Sequence, residues 1–294
     1  MRSTSFFHSI SSGKLRSLFI ILGFMLGFAG TVFSQNLQPA DADVYSPSRK
    51  NFLYIQRHHI NIRMDSIRVG SQLFYINILT KKGHKHQKYM VIHDSEDAAF
   101  DAGLRAIKHG GTLIALENHE QRALYSFGKI RGSSGQDPNR MFQLQNPYWP
   151  VAQRILHLLD ASSKNLIIVL HNNTPEGNFR IDTIATWKNI SVPAAVDKDP
   201  KSMVWIPGKT PAPDLQTRAE IKYYARHKMN VVYEYVPINQ TGDGSLSVYS
   251  TKHGIPYRNI EVKAGIRGNR KSENKARSRQ IRYLKHLRKY HGLK

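Results

Sequence analysis

The chain has 294 residues, with 43 Lys or Arg against 21 Asp or Glu, a formal net charge of +22 and no cysteine. The missing cysteine excludes disulfides, thiolate metal ligands and lipid attachment at a cleavage-site cysteine. With 40% apolar residues the chain is long enough for one domain with a proper core, and nothing in it repeats.

At the N-terminus, Arg2, Lys14 and Arg16 stand ahead of an uncharged run from Ser17 to Ser34, the layout of a secretory signal peptide. Ser34, with Val32 two positions before it, allows cleavage before Gln35; a retained anchor is the alternative, although the apolar stretch is short for a transmembrane helix. The expected location is periplasmic or secreted, and an exported chain without disulfides fits a bacterial periplasm or surface. Residues 1–34 are assigned to the signal peptide, 35–50 to a linker and 51–264 to the folded domain.

Within that domain, aromatic and β-branched runs at 52–62, 73–79, 89–92, 112–116, 165–170, 230–236 and 257–262 predict strands. Several are continuously apolar, which implies cover on both faces. Helical periodicity falls at 96–108, where Phe100, Leu104 and Ile107 share one side, at 151–159 and at 217–228. The alternation predicts an α/β fold, a single domain with a mixed, mostly parallel β-sheet and helices on both faces. In such sheets, sites collect where strands end and loops begin.

Four short pieces lie at such edges. Tyr89-Met-Val-Ile-His93 is a strand leading into a helix that Asp94 or Ser95 can cap, and the H-x-x-E spacing lets His93 and Glu96 point at one ion. The plainer reading makes Glu96 a partner of the helix dipole and His93 a loop side chain. Asp137-Pro-Asn139-Arg140 follows, and then His171, which ends the most apolar strand and precedes Asn172-Asn173-Thr174-Pro175, read as a turn. His171 is either a third ligand or a polar stop signal. Glu261 sits inside Ile260-Glu-Val262, where a carboxylate either faces solvent or is kept in a dry cleft for a reason. Two imidazoles and one carboxylate suit a catalytic zinc, with a further carboxylate to act on water.

Other histidines carry less. His58 and His59 alternate across the expected strand and cannot share an ion; His84-Lys-His86 falls in a basic turn; His109-Gly110-Gly111 reads as a glycine C-cap. Residues 265–294 form a basic C-terminal tail. From position 263 onward there are twelve Lys or Arg against the single acid Glu273, half of the net charge. Ile281, Leu284 and Leu287 recur there at helical spacing, so a short amphipathic helix is expected. Such a block suits anionic lipid or an acidic cell-wall polymer, or stands as a solvated extension without a partner; export argues against nucleic acid.

The order H-x-x-E, then Asn-Arg, then a histidine closing an apolar strand, then a glutamate on a late strand, resembles the zinc carboxypeptidase family of metallopeptidases. That family includes succinylglutamate desuccinylase and aspartoacylase-like acylases and relatives acting on cell-wall peptides. Gly244-Ser245 followed by Gly254-Ile-Pro-Tyr257 ahead of Glu261 is similar to the family's progression before its catalytic glutamate. The resemblance implies a carboxypeptidase-like fold, a Zn2+ bound by His93, Glu96 and His171, and Glu261 as general base and then acid. It further implies Asn139 and Arg140 on the substrate's free carboxylate and Arg122 as the arginine that stabilises the oxyanion. The chain departs from the pattern in having Ser95 before the glutamate and a short interval from Arg140 to His171. The mobile substrate-capping tyrosine has only Tyr235 and Tyr249 as candidates. The expected function is exported, zinc-dependent hydrolysis of an amide or peptide bond beside a free carboxylate, in a peptide or acyl-amino acid such as a cell-wall peptide. The alternatives are an inactive relative that binds polyanions or peptidoglycan, and a cell-wall amidase.

Overall fold

The computed structural model describes residues 49–70, 72–83, 87–118, 123–124, 136–162, 165–239 and 241–293. The expected signal peptide, most of the linker, Arg122 and the His84–His86 turn lie outside the described residues. Among those described, no helix is long and apolar enough to cross a membrane.

The described strands, β1 (Asn61–Val69), β2 (Gln72–Lys81), β3 (Lys88–Val91), β4 (Gly111–Glu117), β5 (Ile167–Asn173), β6 (Ile190–Ala194), β7 (Met203–Gly208), β8 (Val231–Tyr235) and β9 (Tyr257–Lys263), form one sheet. Its order is β1-β2-β4-β3-β5-β9-β7-β8-β6. The pairings β4–β3, β3–β5, β5–β9 and β7–β8 are parallel, and the rest are antiparallel. The result is the α/β fold expected, with its parallel block at the centre. Every residue of β5 is buried, as a strand covered on both faces must be.

The helices are α1 (Arg49–Arg57), α2 (Asp97–Ala106), α3 (Trp149–Leu158), α4 (Ile181–Ile184), α5 (Leu215–Arg226), α6 (Leu246–His253) and α7 (Arg270–Tyr290). Side chains of α1, α2, α5 and α7 pack with Tyr89, Val91, Leu170, Ile260 and Val262 on one face. Those of α3 and α6 pack with Met90, Ile92, Ile167, Val169 and Tyr257 on the other. Because β3 is followed through α2 by β4 on one side, and β4 through α3 by β5 on the other, the chain reverses direction at β3. A crevice opens at the carboxyl ends of strands where winding reverses in this way.

Two expectations need correction. Of the strand expected over 52–62 only the last two residues are strand: helix α1 runs to Arg57, and a turn with His59 at φ 50° leads into β1 at Asn61. The buried Asn51 and Ile55 are four apart while Leu53 is half-exposed, so packing of one helical stripe prevails over the β propensity of the run. The His58 ring lies 4.2 Å from that of Tyr54 across one helical turn, not across a strand. The basic C-terminal segment, in turn, is no appended tail. Its helix α7 inserts Ala276, Gln280, Tyr283, Leu284 and Leu287 into the core. Arg277 pairs with Asp101, Arg279 with Asp199, and Arg282 with Asp197 at 2.5 Å, so part of the charge is matched internally.

Candidate metal centre

His93 lies two residues beyond β3, and Glu96 occupies the N-cap position of α2 with no side-chain cap bond of its own. Asp94, expected to cap the helix, instead accepts from the Asn118 amide at 3.0 Å. The backbone amide of Glu96 donates to the carbonyl of His93 at 3.2 Å, and this turn folds both side chains toward the crevice. His171 comes from β5, where its side chain shares a face with Ile167 and Val169. Asn172 and Asn173, read as a turn, continue that strand. The Asn172 side-chain oxygen accepts from the Ala99 amide at 2.9 Å, and the Asn173 side-chain nitrogen donates to the Lys201 carbonyl at 2.8 Å.

Three side chains meet. His93 Nδ1 lies 2.9 Å from Glu96 Oε1 and 3.1 Å from His171 Nδ1, and His171 Nδ1 lies 3.2 Å from Glu96 Oε2. All are 2% exposed. On its far side, His93 Nε2 is 2.8 Å from Asp137 Oδ1. Burial resists the charge of Asp137, but the hydrogen bond to His93 outweighs it and holds the carboxyl well below the usual range. An ionised carboxylate can only accept, so Nε2 donates to Asp137, and the other ring nitrogen, Nδ1, is the one turned to Glu96 and His171. Burial also opposes ionisation of Glu96, and the imidazoles of His93 and then His171 more than offset it.

Lone pairs converging in a dry site call for a cation. Tetrahedral zinc with ligands at about 2.0–2.1 Å sets neighbouring donor atoms about 3.3 Å apart, close to the separations above. Two histidine nitrogens and a carboxylate make up a known catalytic zinc set, and a carboxylate behind one histidine orients the ring for it. The residues present therefore fit a metal. Sequence reasoning gives Asp137 no role of its own, because its ring partner stands 44 residues earlier in the chain.

Glu261 is brought to the same place by strand pairing. It stands opposite His171 in the β5–β9 ladder and opposite Met203 in the β9–β7 ladder. Its carboxyl is buried and accepts from Asn259 Nδ2 at 2.8 Å. Burial raises its pKa; the charge of His171 acts against that, and that of Glu96 adds to it.

The Asp137–Arg140 loop is anchored to α6. Asn139 Oδ1 accepts from the Leu246 amide at 3.1 Å, and the Phe142 amide donates to the Gly244 carbonyl at 2.9 Å. Gly244 sits at φ 81°, and a Cβ there would come 2.4 Å from the Arg140 carbonyl oxygen, so only glycine admits this approach. Arg140 is exposed and pairs with Asp243 at 3.3 Å. Of the two tyrosine candidates, Tyr235 packs with the core on the opposite face of the sheet. Tyr249 is fixed among rings, 4.0 Å from His253 and 5.9 Å from Trp149. Arg122 lies outside the described residues.

No family model and no curated protein matches the chain. Solved structures do resemble it. A metallo-carboxypeptidase from Burkholderia cenocepacia shares 13% identity, over 84% of this chain and 70% of that one, at a TM-score of 0.44. A metallo-carboxypeptidase from Pseudomonas aeruginosa, in complex with (2-guanidinoethylmercapto)succinic acid, shares 13% over 83% and 68%, at 0.43. Thrombin activatable fibrinolysis inhibitor shares 10% over 82% and 71%, at 0.47. At such distances the site has to be read from its own residues.

Proposed function

We propose that the protein is a zinc-dependent hydrolase that cleaves an amide or peptide bond beside a free carboxylate. The observation that carries this reading is the convergence of His93 Nδ1, Glu96 and His171 Nδ1 within 3.2 Å of one another, with Glu261 the ladder neighbour of His171. Zinc held there supplies Lewis acidity at the scissile carbonyl. Asp137 keeps the His93 ring oriented and its proton on Nε2. Glu261 takes a proton from the attacking water and returns it to the leaving amine, a role that suits a buried carboxyl raised above its ordinary pKa. Asn139 and Arg140 hold the substrate carboxylate; a planar guanidinium can do so through two hydrogen bonds. Arg122 is assigned to the developing oxyanion. The N-terminal sequence supports action outside the cytoplasm, with peptides of the cell wall as substrates. The alternative of an inactive polyanion binder rests on the basic C-terminal segment, three of whose arginines face Asp101, Asp197 and Asp199.

Metal analysis and one substitution test the proposal. The chain purified from zinc-containing buffer is expected to hold close to one zinc. Glu261→Gln is expected to keep that metal and lose at least about a hundredfold in hydrolysis of N-acyl amino acids or muropeptides. A wild-type chain that stays metal-free overturns the enzyme reading, and unchanged turnover in Glu261→Gln removes the base assignment.

A further inference from the structure

Two helices on one face of the sheet carry a positive charge that the fold leaves unanswered. Helices α5 and α7 run antiparallel: the Tyr290 hydroxyl donates to the Gln216 carbonyl at 3.4 Å near one end, and Arg282 donates to the carbonyls of His227 and Lys228 at 3.2 and 3.1 Å near the other. Rings close the seam, with His227 stacked on His286 at 4.1 Å and Tyr223 lying 5.2 Å from Tyr290. Helix axes packed in this way lie about 8–10 Å apart, so the outer sides of the pair form one broad, shallow face.

The inner side of α5 buries Glu220, Ile221 and Tyr224. Its outer side carries Leu215, Arg218, Lys222 and Arg226, all exposed. Positions seven and eleven residues beyond Leu215 return to within about 20° of it around the axis, so Lys222 and Arg226 continue its row, with Arg218 beside them. On α7, Lys285 and Lys289 are exposed one turn apart. Acids do not balance this face. Glu220 is the one acid of α5, and Arg258 and His291 take it up on the inner side. Glu273, the one acid of α7, stands in the first turn, at the opposite end from Lys285 and Lys289. Asp214, whose carboxylate caps α5 through the Thr217 amide at 2.7 Å, offsets at most Arg218. Lys222, Arg226, Lys285 and Lys289 have no acid partner among the described residues. The seam feels this excess: burial and then the charges of His227, Arg282, Lys285 and Lys289 hold His286 below its ordinary pKa.

Unpaired cations gathered on one face attract anions. Leu215 narrows the choice of anion, because it is 81% exposed at the head of the basic row. A linear polyanion would track one row of cations and has no use for an apolar side chain. An anionic bilayer offers a plane of phosphates as broad as both helices, and an acyl layer beneath it. We propose that the outer face of the α5–α7 pair is a docking surface for an anionic lipid bilayer: Arg218, Lys222, Arg226, Lys285 and Lys289 engage headgroup phosphates while Leu215 enters the acyl boundary. This inference goes beyond the hydrolase reading and needs neither metal nor turnover.

The test is co-sedimentation of the full chain with vesicles of phosphatidylcholine alone and of phosphatidylcholine mixed equally with phosphatidylglycerol. The ratio of the two affinities cancels any contribution of the uncharged run from Ser17 to Ser34. At low salt the wild-type ratio is expected to be at least about a hundredfold, and Lys222→Gln with Arg226→Gln is expected to cut it by about thirtyfold. Lys285→Gln with Lys289→Gln makes the same test on the other helix, should the first pair fail to fold. Leu215→Ser is expected to weaken binding to the mixed vesicles by about tenfold. Arg63→Gln with Arg68→Gln removes two equally exposed cations from β1, at the far edge of the sheet, and is expected to change the ratio by less than about twofold. A wild-type ratio near unity, a ratio unmoved in variants that melt like the wild type, or an equal loss in the β1 control overturns the inference. Binding of soluble polyphosphate that depends on Lys222 and Arg226 but not on Leu215, without sedimentation on either vesicle, overturns it too and gives the face to a linear polyanion.

Discussion

Glu220 on α5 is 1% exposed and collects hydrogen bonds from three elements. Arg258 of β9 reaches it through Nε at 2.8 Å and Nη2 at 2.5 Å, Tyr224 through its hydroxyl at 2.8 Å, and His291, just past α7, through Nε2 at 3.0 Å. Burial alone would raise its pKa, but the hydrogen bonds of Arg258 and His291 overcome this and bring it from 4.5 to about 2. A carboxyl depressed in the folded state stabilises above its unfolded pKa, and the contribution disappears as pH falls through the folded one. The difference amounts to about 3 kcal/mol at neutral pH, of which a little under half is gone by about pH 3.5. Glu220→Gln also strands the Arg258 charge in the interior, so the expected cost at pH 7 is about 3–5 kcal/mol. Urea unfolding followed by tryptophan fluorescence at several pH values measures both. The gap between wild type and variant should narrow by about 1 kcal/mol between pH 7 and pH 3.5. A cost below about 1 kcal/mol at pH 7, or a gap that stays constant with pH, would refute the reasoning.

Three other expectations follow from single features. Asp137→Asn should weaken zinc binding by about 10–100-fold in a competition titration, because the amide no longer holds the His93 proton on Nε2; unchanged affinity would show that the ring is oriented by other means. Gln280 is fully buried on α7 with neither amide atom bonded, so Gln280→Met should stabilise the fold by about 1 kcal/mol and raise the melting temperature by about 2–4 °C. A lower melting temperature would mean that a trapped water satisfies the amide. Deleting residues 267–294 removes buried Tyr283, Leu284 and Leu287, each worth about 1.5–3 kcal/mol. That sum rivals the whole net stability of a domain, so the truncated chain should lose its cooperative melt, and a sharp transition near the wild-type temperature would contradict the packing described.

The parts of the site legible in the sequence were those made by one turn or one strand. His93 and Glu96 are three residues apart at a strand end, and local geometry nearly dictates their meeting. Strands β3 and β5 announced themselves as apolar runs, and β9 through its aromatic and β-branched residues. By contrast, the pairing of His171 with Glu261 depends on β5 and β9 being neighbours, and no local pattern encodes that order. Strand β7 went unread because Pro207 and Gly208 look like loop punctuation. Helix α6 went unread because its Ser, Thr and His residues carry no strong apolar stripe, although Ser245 caps it through the Val248 amide. The acids that pair with three arginines of α7, Asp101, Asp197 and Asp199, lie far from it along the chain, and so its charge looked like that of a free extension.

Because His171 and Glu261 are opposed across hydrogen-bonded central strands, their separation is a property of the sheet and not of any loop. Arg140 and Asp243, by contrast, hang on connections at the rim. Such a division of labour lets rim segments lengthen, shorten or change composition, redirecting what is admitted, while the spacing of the reactive groups stays locked to the roughly 4.8 Å repeat of the backbone.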